Sequence, residues 1–206
     1  MGTDHLVFGA PDLLTGVQIV ETLLGVRPTL GGKHVGIGTH NALAALGDGA
    51  YLEVIAPDPD QLTRLRPLPY GLEALAKPRL LTWAIKAPDI ESQALRALAA
   101  GVNLGPVLQM ARERPDGTRL EWRLTRSEQV VGDGLVPFLI AWGPGAHPSE
   151  TSPTGSRLVS LRGEHPEPER IMRQLEAVGV TLPVTRGAEP ALIAAVEGVL
   201  GTVDLR

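Results

Sequence analysis

Ala10-Pro11-Asp12-Leu13, running to Leu24-Gly25-Val26, is met again as Ala87-Pro88-Asp89-Ile90 running to Ala100-Gly101-Val102. A third version, His165-Pro166-Glu167-Pro168, runs to Val178-Gly179-Val180. Proline and glycine stand 14, 13 and 13 residues apart (25−11, 101−88, 179−166), and the copies repeat every 77 or 78 residues (88−11, 166−88). A fixed period of this kind marks a repeated supersecondary unit. Each proline follows an apolar strand: His5–Gly9, Leu81–Lys86 and Leu158–Arg162. Proline ends that strand, and an acidic residue beside it suits the positive end of a helix dipole. Leu14, Val17, Val20 and Leu23 recur at helical spacing in the first copy, Leu95, Leu98 and Ala99 in the second, Ile171, Leu175 and Val178 in the third. Glycine then closes each helix.

Short strands follow each helix. The first copy offers His34–Gly38, Ala42–Leu46 and Tyr51–Ala56; the second Val107–Arg114, Thr118–Arg126 and Val136–Trp142, with Pro115-Asp116-Gly117 as the hairpin turn. The third offers Thr181–Thr185, Ala191–Val196 and Thr202–Leu205. Each unit therefore reads βαβββ, within an α+β chain whose units span 1–57, 80–144 and 156–206. The proline-rich link between the first two predicts a short helix near Gln61–Leu65, and the link over 143–156 reads as irregular.

Composition narrows the function classes. Apolar residues make up 43% of the 206, enough for a core, while 3% are aromatic, so aliphatic side chains fill it. A formal charge of −4 argues against binding a phosphate backbone. The absence of cysteine excludes disulfides, thiolate catalysis and cysteine metal sites. Met1-Gly2-Thr3-Asp4-His5 does not open a signal peptide, and no window is apolar enough to cross a membrane, so the expected location is the cytoplasm. Gly31-Gly32 and Gly36-x-Gly38 lie in a strand region rather than before a helix, which argues against nucleotide binding.

The motifs Asp4-His5-Leu6-Val7, Pro11-Asp12-Leu13, Gly32-Lys33-His34, Gly38-Thr39-His40-Asn41-Ala42-Leu43 and Tyr51-Leu52-Glu53-Val54-Ile55-Ala56-Pro57 follow one another in order. With Trp122-Arg123 and Pro137-Phe138-Leu139-Ile140-Ala141-Trp142, they resemble a glyoxalase-like domain of the vicinal oxygen chelate superfamily over residues 3–150. The resemblance implies paired βαβββ modules curling into a cup with helices outside. It also implies a divalent metal and a small substrate in the cup, with ligands from the first and last strand of each module.

On that pattern His5 and Glu53 are the catalytic and metal-binding candidates of module one. Strand alternation puts His5 and Val7 on the cup face with Leu6 and Phe8 behind, and Glu53 with Tyr51 and Ile55. A carboxylate among apolar neighbours needs a partner; His5 or a metal would serve. In module two the matching positions are Thr82 and Ile140, and in the third copy Ser160, none of them an ordinary divalent ligand. His34, Glu121 or a substrate would have to complete the shell. His34, Asn41, Trp83, Arg112, Arg123 and Trp142 are the substrate-binding candidates, an inward arginine pairing with an anionic substrate. His40 is a further candidate donor, and His147 a rim residue. The expected function is binding of a small anionic or carbonyl-containing molecule, either as a lyase or isomerase or as a metal-free sequestering protein; an extradiol dioxygenase ranks last, because Thr82 removes a histidine. The third unit has a bare apolar sheet face. It is expected to pair with its counterpart in a homodimer or to pack on its own chain, the dimer being slightly favoured.

Overall fold

A computed structural model describes residues 2–113, 117 and 119–206. The turn expected at Pro115-Asp116 lies outside the described residues. Among the described residues there are two sheets and four α-helices. Module one is β1 (Thr3–Gly9), α1 (Leu13–Leu24), β2 (Thr29–His34), β3 (Thr39–Ala45) and β4 (Tyr51–Pro57). Module two is β5 (Arg79–Lys86), α2 (Ile90–Ala99), β6 (Val107–Glu113), β7 (Arg119–Thr125) and β8 (Phe138–Trp142). They share one eight-stranded sheet, ordered β2-β3-β4-β1-β5-β8-β7-β6. In each module the first strand runs parallel to the last, and β1 and β5 meet antiparallel at the centre. The sheet curls until its two edges approach: Arg112 of β6 donates to the Gly31 carbonyl of β2. The sheet thereby closes into the cup that the resemblance implies.

Local chemistry explains the elements. The Asp12 carboxylate accepts the Thr15 amide at 2.9 Å and so caps α1. Gly25 ends that helix at φ 69°, the left-handed conformation that L side chains avoid. Leu6 and Phe8 pack behind the sheet with Leu13, Val17 and Val20 of α1, while Val7 faces the cup with Ile55. Alternation along β1 is therefore as expected, except at its start.

Three readings need correction. The second strand is Thr29–His34, not His34–Gly38; Gly36 at φ 79° turns the chain, and Thr29–His34 pairs back on β3. In the first link a 3-10 turn, interrupted by left-handed Tyr70 and Gly71, falls at Pro69–Ala74 in place of the helix expected near Gln61–Leu65. The second link holds a short helix, α3 (Pro148–Thr151), started by Pro148 and by the His147 ring, which accepts from the Ser149 amide at 3.3 Å.

The third unit comprises β9 (Arg157–His165), α4 (Pro168–Val178), β10 (Val184–Arg186), β11 (Ala191–Gly198) and β12 (Gly201–Leu205). Its element order is βαβββ, but its strand order is β10-β9-β11-β12, so it pairs differently from a cup module. Ile171, Leu175, Leu192, Ala194 and Val196 join the same core as α1 and the back of β5. The Leu80 amide donates to the Arg206 carbonyl and the Val199 amide to the Leu24 carbonyl, both at 2.8 Å. Its apolar face is thus covered by its own chain. Among the described residues, no helix is long and apolar enough to cross a membrane.

Candidate functional site

His5 enters the cup from β1, but its neighbour Asp4 comes with it. The pairing of β1 with β5 shifts between Thr3 and His5, a bulge that puts two consecutive side chains within reach of each other. Asp4 Oδ1 lies 2.7 Å from His5 Nδ1. Its other oxygen accepts from Trp142 Nε1 at 3.0 Å and His147 Nε2 at 3.1 Å. The Ser149 amide donates to His147 Nδ1, so His147 carries its proton on Nε2, where it meets Asp4. Burial alone would raise the Asp4 pKa; hydrogen bonds from His147 and His5 outweigh it and hold the carboxyl well below the usual range. An ionised Asp4 keeps the His5 proton on Nδ1 and turns the Nε2 lone pair toward the cup. Tyr51 stacks on the His5 ring at 4.7 Å and fixes its plane.

Glu53 faces that lone pair. Its Oε2 is 3.8 Å from His5 Nε2, too long for a hydrogen bond and short enough for one small group to touch both. Its Oε1 accepts from Asn41 Nδ2 at 2.5 Å. Asn41 in turn stands 3.4 Å from His34 Nε2, while His34 Nδ1 meets Thr39 Oγ1 at 2.8 Å. Burial pushes the His34 pKa down against the pull of Glu53, so this ring stays neutral. The direct bond expected between His5 and Glu53 is replaced by two separate tethers, Asp4 on one and Asn41 on the other.

The other candidates divide by strand face. Trp142 and Arg112 reach the inner pocket with His5, His34, Asn41 and Glu53. Trp83 does not: it lies on the helix side of β5, in the main core, where its Nε1 donates to the Leu135 carbonyl at 2.9 Å. Arg123 also points outward, to an ion pair with Glu91 of α2. Both corrections follow from two-residue alternation, since Thr82 and Ala84 of β5 and Trp122 and Leu124 of β7 take the inward positions. Glu121 pairs with Arg119 at 2.7 Å on the outside, and Ser160 is exposed on the second sheet. His40 is half-buried by Asp58, and His147 holds Asp4 rather than the rim.

A glyoxalase-like domain profile matches residues 3–179. The chain belongs to the glyoxalase-like domain family. Among solved structures, a hypothetical protein from Staphylococcus aureus superposes with a TM-score of 0.62 at 13% identity, over 98% of this chain and 83% of that one. A methylmalonyl-CoA epimerase from Mycobacterium tuberculosis gives 0.42 at 18% identity over 70% of this chain and 89% of that one. A Streptomyces coelicolor methylmalonyl-CoA epimerase in complex with 2-nitronate-propionyl-CoA gives 0.42 at 18%, over 70% and 97%. No functionally curated protein matches the sequence.

The family pattern implies a divalent metal, and the donor set here does not fit one. Thr82 and Ala84 of β5 and Ile140 of β8 stand in the module-two wall, and among the described residues no three histidine, aspartate or glutamate side chains are placed to hold one metal ion. An amide donor also occupies one oxygen of Glu53.

Three residues of the site were missed from sequence. Asp4 was hidden because alternation puts it behind the sheet, and only the bulge brings it forward. Tyr70 and Arg126 lie in a link and at a strand end, where no periodicity speaks. Tyr70 sits at φ 60°, a left-handed conformation rare for an aromatic residue and one that clusters at ligand sites.

Proposed function

We propose that this protein moves a proton on a small carbonyl compound held in the cup, as a lyase or isomerase. The single observation behind this reading is the Asp4–His5 pair aimed at Glu53. Burying a carboxylate costs several kcal/mol before its partners compensate. A passive binding pocket has no use for an oriented imidazole lone pair set against a second carboxylate. His5 Nε2 is the base that takes the proton next to the carbonyl, and Asp4 stabilises the imidazolium that forms. Glu53 is the second proton site, and returns or relays a proton at the neighbouring atom. A specific feature favours the other reading, binding without turnover: Met110, Trp122 and Ile140 make the module-two wall apolar.

Solvent deuterium separates the two. The protein is incubated in heavy water with a panel of small 2-oxo, 2-hydroxy and 2-methyl carbonyl compounds, and exchange at carbon is followed by proton NMR. Exchange above the buffer rate for at least one compound, reduced about 100-fold or more in His5→Gln and Glu53→Gln, is the expected result. Saturable binding of panel members without exchange of any would establish the sequestering role instead.

A further inference from the structure

The cup has two chambers in series. An inner pocket of about 70 Å³ holds the His5–Glu53 pair, and an outer chamber of about 760 Å³ opens beyond it. Pro69, Tyr70, Arg126 and Phe138 line both, and so form the neck. Leu65, Leu104, Leu108, Val130 and Val136 give the outer chamber an apolar wall, and exposed Arg66 and Glu128 complete its lining on the solvent side.

Arg126 is the feature that needs an explanation. Of the other cations around the cup, Arg112 reaches the Gly31 carbonyl and Arg123 pairs with Glu91, while Arg66, on the outer chamber's lining, is exposed to solvent 3.9 Å from Glu73. Among the described residues, no carboxylate or carbonyl accepts from the half-buried Arg126 guanidinium. A cation set between apolar walls with no protein acceptor is costly unless something else neutralises it. Its field reaches Tyr70, which also feels Glu53 from the inner side, so Tyr70 stands between the two charges.

We infer that Arg126 binds the carboxylate of an organic acid whose apolar tail lies in the outer chamber. The acid places its carbonyl in the inner pocket; only that placement rests on the proton-transfer reading above. One uncommitted guanidinium suits a carboxylate, which it meets with two parallel hydrogen bonds. The inner pocket has room for a carbonyl and its neighbouring carbon, so bulk is accommodated only outside the neck.

Calorimetry with 2-oxohexanoate, 2-oxooctanoate and their methyl esters tests this. The wild-type chain is expected to bind the acids about tenfold or more tightly than the esters, with the longer acid tighter than the shorter. Arg126→Gln should erase the difference between acid and ester, and Arg126→Lys should keep part of it; circular dichroism and melting points confirm that both variants fold. Equal affinity for acid and ester, a wild-type preference surviving in Arg126→Gln, or no binding of the acids at millimolar concentration would overturn the assignment. Acid selectivity without deuterium exchange sinks proton transfer alone. Exchange without acid selectivity sinks the role of Arg126 alone.

Discussion

Asp4 is a buried carboxylate surrounded by three nitrogen donors, from His5, Trp142 and His147. Asp4→Asn keeps the shape and removes the charge that fixes the His5 tautomer. It also sets an amide against donors that need an acceptor. Unfolding free energy should fall by about 1–3 kcal/mol in urea, and the deuterium exchange rate about 100-fold, the second effect exceeding what lost stability explains. The pH dependence has a defined sign. The folded Asp4 pKa is depressed, so its contribution is complete above the unfolded value, about 3.9, and is lost only as pH falls below that. His34 acts in a higher window. Its folded pKa is also depressed, so it too binds fewer protons folded than unfolded. Stability should therefore decline as pH falls through about 6.5. Denaturation midpoints between pH 7 and pH 5 should drop less in His34→Gln than in the wild type; equal drops would remove His34 as the cause.

At the scale of elements, α1 lies so close to β4 that Gly16 is part of the contact. A methyl group there would stand 2.6 Å from Val54 Cγ1 and 2.8 Å from the Ala10 Cβ. Alanine gains about 1 kcal/mol over glycine in a helix interior. Overpacking costs about 1–3 kcal/mol, and the Ala10 Cβ cannot move without its backbone. Packing wins, and Gly16→Ala should destabilise the protein by about 1 kcal/mol in urea denaturation. A stabilised variant would show that α1 can shift outward. The bulge in β1 belongs to the same scale: it alone carries Asp4 to the His5 ring.

Across the whole molecule, the third unit completes the main core instead of hanging from it. Ile171 of α4 and Leu192, Ala194 and Val196 of β11 pack in the cluster that holds Val20 and Leu24 of α1. Removing residues 157–206 would bare the outer side of α1 and the back of β5. A chain ending at Ser156 should aggregate or melt well below the full protein, and the full protein should unfold in one cooperative step by calorimetry. Two separate transitions, or a soluble shortened chain of equal stability, would show that the third unit folds apart.

Much of this architecture was legible in the residues because local chemistry speaks at a distance of a few positions. Pro11, Asp12 and Gly25 mark where a helix begins and ends, and alternation assigns Leu6 and Phe8 to one face and Val7 to the other. The repeat of that pattern was enough for the βαβββ units, while His5, Glu53, His34, Asn41, Arg112 and Trp142 became pocket candidates through the resemblance to a glyoxalase-like domain. What tertiary structure decided is where that chemistry is interrupted or spans the chain. A one-residue bulge reverses the face of Asp4, which no periodic reading detects. Trp142 and His147 reach Asp4 across separations of 138 and 143 residues, distances over which sequence pattern carries no signal. The third unit keeps the element order of a module yet pairs its strands differently, because pairing depends on which surfaces the completed cup leaves to be covered. Arg126 stays uncommitted for the same reason: only the folded chain shows which arginines have already found an acceptor.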